Sequence, residues 1–382
     1  MTRPQFLEVL IHFLVFMMGA GIGSFLNVVI YRVPLGISVN NPRRSFCPSC
    51  KKQIPWYRNI PLWSWLMLRG KCAECGCKIS FRYFFVELLT ACLFYAVFAK
   101  FSHDWEFLSA WGPVVLIFWI FTALLVAGTF IDIDHFILPH SITLGGLAVG
   151  LLGSYWQPQL MGETEHGRGI VMSFVSACIG LGLLWTVVEL GKIAFGRIRE
   201  KFEEPQSWSI TQPDENEPPV FQLGETKLGW GDIFTRASDR LVLHCASLKV
   251  NNREFLNVRV EIKQHLMVVH TPGGPEKFDL ETVTRLEGTA TELVIPREAM
   301  GFGDVLLLAM IGSFLGWKAV LFTVLAGSVL GTLFAVGPRL IGRTEWSARI
   351  PFGPYLAAGG MIWLFYGPQF LEWYLARLHW AQ

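Results

Sequence analysis

The feature that most constrains this chain is a series of long apolar runs. A helix that crosses a bilayer core of about 30 Å needs about 20 mostly apolar residues. Only 16% of the 382 residues are charged, against about 25% in a typical soluble domain. The sequence therefore predicts an α-helical polytopic membrane protein with about eight transmembrane helices. The candidate segments are about 6–31, 82–100, 112–132, 141–156, 169–195, 303–316, 318–337 and 352–373.

The first apolar run also resembles the start of a secretory signal, because Arg3 precedes it. It continues from Phe6 almost to Ile30, whereas the apolar region of a cleaved signal spans about 7–15 residues. We therefore expect a transmembrane helix here.

Basic residues predict the orientation of these helices, because short cytoplasmic loops are enriched in Lys and Arg. The segment 32–82 contains Glu74 as its only acid, and the segments after the fifth and seventh apolar runs are also basic. The connection 101–111 has no Lys or Arg. These loops agree on one topology, with both termini outside and 32–82 inside. The bases of that segment are Arg32, Arg43, Arg44, Lys51, Lys52, Arg58, Arg69, Lys71, Lys78 and Arg82.

Residues 197–300 interrupt the apolar pattern. They open with the polar run Glu203-Glu204-Pro205 and then a Pro-rich stretch over 213–219, which predicts a linker. Short alternating segments follow, separated by turn signals, and predict a small cytoplasmic β-rich domain. The alternating segments are 241–244, 256–262, 266–270 and 293–295. The predicted divisions of the chain are 1–31 (first helix), 32–81 (cysteine loop), 82–196 (helices two to five), 197–300 (insertion) and 301–382 (helices six to eight).

Two C-x-x-C pairs occupy the basic loop. Such pairs about 15–20 residues apart are typical of a structural zinc ion held by four thiolates, and the surrounding Lys and Arg favour thiolates. A redox or disulfide pair is the alternative, but it suits a cytoplasmic loop less well. Cys77 is a possible substitute ligand. The predicted zinc ligands are Cys47, Cys50, Cys72 and Cys75.

Two aspartates lie at the predicted cytoplasmic ends of apolar runs, Asp132 near the end of the third and Asp304 near the start of the sixth. An ionisable residue at the end of a membrane-spanning segment is costly to bury, so we expect it to have a function. Two neighbouring carboxylates share one proton, so that one can activate water while the other donates to a peptide carbonyl. Gly301 and Gly303 would let a substrate strand approach Asp304. The pair predicts an aspartic protease.

Other acids of the chain are weaker candidates. Asp232 belongs to a second G-x-G-D, but charged residues follow it, so it does not open an apolar helix. Asp134 lies two positions from Asp132 and faces another side of the helix, and we expect Asp134 and His135 to be solvated loop residues. A metal site built from the acids and histidines of 132–140 is a further, weaker alternative.

The combined motifs resemble those of bacterial type IV prepilin peptidases, over nearly the whole chain except about 200–298. The matching residues are 23–34, 54–61, the two cysteine pairs, Arg82-Tyr83, Glu87, 131–139, 301–304 and 351–355.

The resemblance implies that Asp132 and Asp304 are catalytic. It also implies removal of a basic leader from type IV prepilin or pseudopilin precursors at the cytoplasmic face, and methylation of the new N-terminal amine with S-adenosylmethionine. The family's cysteine loop is tied to methylation, but no methyl-donor residue follows from the sequence. The expected partners are these precursors and the lipid bilayer, and no nucleic acid.

Two other functional classes remain open from the residues alone. The first is a proton- or cation-coupled transporter with a zinc-bound regulatory loop, which would place acids deep in several helices. The second is a non-catalytic assembly scaffold, which gives no reason for two aspartates at matched depth.

Overall fold

The structure is a computed structural model that describes residues 3–41, 45–47, 49–102, 105–195, 197–211, 219–224, 226–234, 240–251, 253–283, 286–296, 301–340 and 350–379. The chain forms two compact units. One combines Met1–Thr186 with Met300–Gln382, and the other is Val187–Ala299.

Each apolar segment identified in the sequence coincides with a helix, the shortest of which has 14 residues. The helices are α1 (Arg3–Arg32), α2 (Trp63–Met67), α3 (Phe81–Phe101), α4 (Trp105–His135), α5 (His140–Trp156), α6 (His166–Phe195), α7 (Trp230–Ile233), α8 (Phe302–Leu315), α9 (Trp317–Leu340) and α10 (Gly353–His379). The break between α8 and α9 falls at Gly316, whose φ of 82° suits glycine.

Within the described residues, five helices are long and apolar enough to cross a membrane. Their outer surfaces carry large apolar side chains, such as Phe13, Phe174 and Leu325, which are 58%, 58% and 61% exposed. Such surfaces are unfavourable in water and suit lipid. The prediction of a polytopic membrane protein is confirmed, and the count of eight spans stays a prediction. The five are Phe6–Arg32, Phe81–Phe101, Gly112–His135, His166–Gly191 and Trp317–Gly337.

The short apolar helix α8 lies in the interior of the helical unit, and residues 304–314 are all buried. Its 14 residues span about 21 Å, less than a bilayer core of about 30 Å. Its approach to α6 requires a glycine, because a Cβ on Gly180 would lie 2.7 Å from the carbonyl oxygen of Leu308. The hydroxyl of Ser173 donates to the carbonyl of Ser313 at 2.7 Å. Neighbouring helices thus enclose the helix that Asp304 opens.

The second unit is a β-rich domain, as the alternating segments predict. Its eight-stranded sheet has the order β3-β2-β1-β8-β4-β5-β6-β7, and the pairings between neighbours are antiparallel. The strands are β1 (Arg197–Thr211), β2 (Val220–Leu223), β3 (Thr226–Gly229), β4 (Leu241–Val250), β5 (Arg253–Ile262), β6 (Leu266–Thr271), β7 (Gly274–Asp279) and β8 (Leu286–Pro296).

The core of this domain follows the period-two pattern of strands. Leu241, Leu243 and Cys245 of β4 are buried together with Val260 and Ile262 of β5. The sequence-based interpretation of this region as β-rich is therefore confirmed.

The opening of the insertion differs from the sequence-based expectation. The run Glu203-Glu204-Pro205 lies inside β1 rather than in a linker, at the irregularity between Lys201 and Gln206 where β1 shifts register against β8. A bulge tolerates proline because no ladder hydrogen bond is needed there. Of the Pro-rich stretch at 213–219, residues 213–218 lie outside the described residues.

Candidate active site and metal centre

Asp132 lies in the last turn of α4 and is 5% exposed. Its Oδ2 accepts a hydrogen bond from the backbone N–H of Gly353, the first residue of α10, at 3.1 Å. A backbone donor at a helix N-terminus carries partial positive charge, which stabilises a carboxylate. The contact joins two residues that are far apart in the chain and holds the carboxyl group in place.

Asp304 lies in the first turn of α8 and is 8% exposed. Its backbone N–H donates to the carbonyl of Gly301 at 3.1 Å, and Gly301 is the N-cap of the helix. A carboxylate in the first turn interacts favourably with the helix dipole. Both predicted catalytic aspartates are therefore buried at the end of an apolar helix.

Leu138 connects the two aspartate-bearing segments. A Cβ on Gly303 would lie 2.7 Å from Cβ of Leu138, and a Cβ on Gly353 would lie 3.2 Å from Cδ1 of the same leucine. The Cβ on Gly353 would also be 2.6 Å from Oδ2 of Asp132. The residue before Asp304 and the residue that binds Asp132 thus pack against one side chain, and neither place has room for a larger residue.

Asp134 is exposed, as expected, but it is not a loop residue. It lies within α4, and its carboxylate is paired with Arg82 of α3 at 2.5 Å. Arg82 also donates to the carbonyl of Phe130 at 3.2 Å and lies over the Phe130 ring. The pair fastens α3 to the end of α4 beside Asp132. His135 is also exposed, as expected, but it too lies in α4 rather than in a loop.

The four predicted zinc ligands meet at one point, with ligand atoms that all lie within 4.8 Å of one another. Sulfurs bound to zinc at about 2.3 Å in a tetrahedron are about 3.8 Å apart, and the Sγ atoms of Cys47 and Cys75 are 3.8 Å apart. The cysteine cluster thus fits a metal ion. Cys77 remains a possible substitute, since its Sγ is 3.3 Å from that of Cys47. In the described part of the chain, the acids and histidines of 132–140 form no comparable group.

The two cysteine pairs have the same local fold. Lys51 and Gly76 each follow the second cysteine of a pair, and both have positive φ, 58° and 70°. The N–H of Lys51 donates to the carbonyl of Cys47, and the N–H of Gly76 donates to that of Cys72. Each pair thus forms a tight knuckle that directs two sulfurs to one side.

Backbone amides inside the knuckles favour thiolates at the first cysteine of each pair. The N–H of Cys50 lowers the pKa of Cys47 to about 6, with help from the side chain of Cys77. The N–H groups of Cys75 and Glu74 lower the pKa of Cys72. For Cys50 a backbone N–H also lowers the pKa, but burial and neighbouring sulfurs outweigh it and raise the pKa to about 11. Four adjacent sulfurs compete for protons, and a bound cation would relieve that competition.

A bundle of apolar helices with two buried aspartates and a four-cysteine cluster defines a polytopic membrane protein with a candidate acid–base pair and a cluster that could hold a metal ion. Comparison with known families agrees. Residues 17–101 match the bacterial peptidase A24 N-terminal domain, and residues 119–238 and 282–336 match the type IV leader peptidase family. The chain belongs to the type IV leader peptidase family, and the resemblance drawn from the sequence is confirmed.

Similar proteins carry consistent names. A prepilin leader peptidase/N-methyltransferase of Aeromonas salmonicida (strain A449) is 29% identical and covers 96% of this chain and 94% of its own length. One of Myxococcus xanthus (strain DK1622) is 47% identical over 150 residues, which is 39% of this chain and 42% of that protein. No solved structure gives a significant match. These names give the transporter hypothesis no support.

Gly353, Leu138 and Arg82 fall within the motifs that carry the resemblance, but sequence reasoning assigned none of them a role beside the aspartates. A signal for Gly353 was present, because Phe352-Gly353-Pro354 opens an apolar run much as Gly303 does. Leu138 reads as an ordinary apolar residue, and its role emerges only from packing.

Proposed function

We propose that this chain is a membrane aspartic endopeptidase that removes the basic leader from type IV prepilin or pseudopilin precursors, with Asp132 and Asp304 as the catalytic pair. One observation carries the proposal. The N–H of Gly353 donates to buried Asp132, and Gly353 packs on Leu138. Gly303, the residue before Asp304, packs on the same leucine. The names of the similar proteins support the substrate class.

The chemistry requires one ionised and one protonated carboxyl group. The ionised group takes a proton from water, which attacks the scissile carbonyl, and the protonated group donates to the carbonyl oxygen. Collapse of the tetrahedral intermediate then returns a proton to the leaving amine. Burial keeps bulk water away and strengthens these interactions.

The setting also suits the form of the substrate. A prepilin-like precursor has a basic leader followed by an apolar helix, and that helix can lie in the bilayer beside the apolar surfaces of the enzyme. The leader junction then reaches the helix ends that carry the aspartates. We propose that these helix ends lie at the cytoplasmic face of the bacterial inner membrane, as the basic loops favour.

We further propose that Cys47, Cys50, Cys72 and Cys75 hold a structural zinc ion, and that the chain N-methylates the new N-terminus. The donor set supports zinc, because four thiolates in tetrahedral spacing suit it. The names of the similar proteins support methylation, for which S-adenosylmethionine supplies the methyl group.

The test is leader cleavage by purified full-length protein in detergent, with a prepilin as substrate. Asp132→Asn and Asp304→Asn should each lower kcat by at least about 10²-fold, the usual contribution of a general acid or base. Asp134→Asn is the matched control, because it is two residues away and paired with Arg82. Normal cleavage by either of the first two variants would refute the dyad.

A further inference from the structure

A cavity lies between α1, the cysteine loop and α3, and neither Asp132 nor Asp304 is among its lining residues. Its volume is about 420 Å³, within the range of about 300–1,000 Å³ typical of small-molecule sites. Ser24 and Asn27 of α1, Trp65 and Cys72 of the loop, and Glu87 of α3 are among its lining residues. The proteolytic chemistry described above uses none of these residues.

Hydrogen bonds across the cavity hold its walls in place. The Asn27 side chain donates to the carbonyl of Tyr83 at 3.0 Å and joins α1 to α3. The backbone N–H of Leu62 donates to Oε2 of Glu87 at 2.7 Å and joins the loop to α3. Leu62 has a φ of 63°, which is unusual for a non-glycine residue, and such strain persists where surrounding structure imposes it. These contacts join α1, the loop and α3 around the cavity.

The helices beneath the cavity approach closely. A Cβ on Gly23 would lie 2.7 Å from the Cα of Glu87, so α1 and α3 meet without a side chain between them. The Glu87 side chain lines the cavity, and its carboxylate accepts hydrogen bonds from the Leu62 N–H and the Ser24 hydroxyl. Glu74, another lining carboxylate, is instead neutralised by Lys52 and Arg58 at 3.1 and 2.9 Å.

Aromatic rings form much of the remaining wall. The Trp65 and Phe84 rings are 5.1 Å apart, and such surfaces stack on flat heterocycles and attract cations. The cavity thus combines aromatic faces, hydroxyl and amide groups, the Glu87 carboxylate and basic side chains that include Arg32 and Lys78. These features suit a ligand with a flat base, hydroxyl groups and charges of both signs. The aromatic lining residues are Tyr31, Phe46, Trp65, Tyr83 and Phe84.

We propose that this cavity binds S-adenosylmethionine, with Glu87 facing one of its positive charges; the proposal rests on the methyltransferase half of the proposed function. The adenine and ribose match the aromatic and polar walls. Cys47, Cys72 and Cys77 also line the cavity, so a metal held by the cysteine cluster would support one wall of the donor site.

The test is calorimetric titration of purified full-length protein in detergent with S-adenosylmethionine and S-adenosylhomocysteine, without a pilin substrate. Wild-type protein should bind both saturably. Glu87→Gln keeps an acceptor for the Leu62 N–H but removes the charge, and it should weaken S-adenosylmethionine binding at least tenfold. Val28→Phe, which fills the cavity from α1, should weaken both ligands at least tenfold. Glu165→Gln, an exposed carboxylate paired with Arg168, is the control.

Leader cleavage and methyl transfer to the cleaved pilin, measured on the same preparations, separate the possible failures. If wild-type protein methylates while both cavity variants bind the donor normally, the cavity is not the donor site and the proposed function stands. If wild-type protein cleaves the precursor but neither binds the donor nor methylates the pilin, both the proposed methyltransferase activity and the cavity assignment are refuted. Competitive displacement of S-adenosylhomocysteine by a peptide of the mature pilin N-terminus would also overturn the assignment, because the cavity would then hold the substrate chain.

Discussion

The chain contains two copies of the same four-residue pattern, Gly229–Asp232 and Gly301–Asp304, and they share one local conformation. Gly229 caps α7 with φ −66° and ψ 144°, and Gly301 caps α8 with φ −74° and ψ 145°. The helices that follow differ. α7 ends after four residues within the β-rich unit, whereas α8 continues for 14 residues and is buried from Asp304 onward.

The comparison shows that the pattern encodes a helix start and no more. In α7 the residue after the first glycine, Trp230, is buried against Phe234 with ring centroids 4.7 Å apart, so the motif serves a soluble-type core. In α8 the second glycine packs on Leu138, and the aspartate opens a helix enclosed by other apolar helices. Chemistry therefore depends on the surroundings of the motif.

The largest expected effect is the difference in leader cleavage between variants of the two motifs. Asp304→Asn should reduce leader cleavage by at least about 10²-fold, because it removes a titratable carboxyl group. Asp232→Asn should leave kcat/KM within about twofold, because α7 ends after four residues and Asp232 opens no apolar helix. Both are measured with the same prepilin. Equal losses in the two variants would mean that the β-rich unit contributes to the proteolytic site.

The cysteine pairs contrast with the two glycine–aspartate motifs. The local fold of each pair is enough to direct its sulfurs to one side, whereas the role of the glycine–aspartate motif depends on its surroundings. Cys72→Ser should abolish most of the bound zinc, expected at about one ion per chain. Cleavage should fall far less than in the aspartate variants. Zinc is measured by elemental analysis of purified protein, with Cys178→Ser, an exposed cysteine of α6, as the control. Undiminished zinc would rule out the four-thiolate site.

A smaller effect probes the tertiary contact between Gly353 and Asp132. Gly353→Ala places a methyl group 2.6 Å from Oδ2 of Asp132, and overpacking of this kind costs about 1–3 kcal/mol. Displacement of the carboxylate should lower kcat/KM by about 10- to 100-fold. Gly182→Ala is the control, since a Cβ added there would meet nothing within 4 Å. Wild-type cleavage by Gly353→Ala would show that this N–H does not position Asp132.

The smallest expected effect concerns the aspartate beside the catalytic one. Arg82 and Asp134 are each about one-third exposed, at 33% and 30%, and such pairs contribute about 0–1 kcal/mol. Arg82→Ala, Asp134→Ala and the double variant form a cycle read by thermal unfolding in detergent. We expect a coupling within that range and cleavage within about threefold of wild type. A loss comparable to that of Asp132→Asn would move Asp134 into the catalytic machinery.

Much of the architecture could be predicted because it is encoded locally. Apolar runs predict helices through their length, alternating residues predict strands, and paired cysteines predict a metal cluster through their spacing. The Glu203–Pro205 run shows the limit. Its composition predicts a linker, yet pairing with β8 places it in β1, because strand pairing depends on a partner some ninety residues away and outweighs local propensity.

The two aspartates show the same division. By itself, the sequence determined their positions at the ends of apolar helices, the cysteine cluster and the family, since each is a matter of local residue type and spacing. Only the tertiary structure decided that Gly353 binds Asp132, that Leu138 packs against the glycines of both segments, and that Asp134 pairs with Arg82. The physical reason is that these contacts join residues distant in the chain, and helix packing alone brings them within bonding distance.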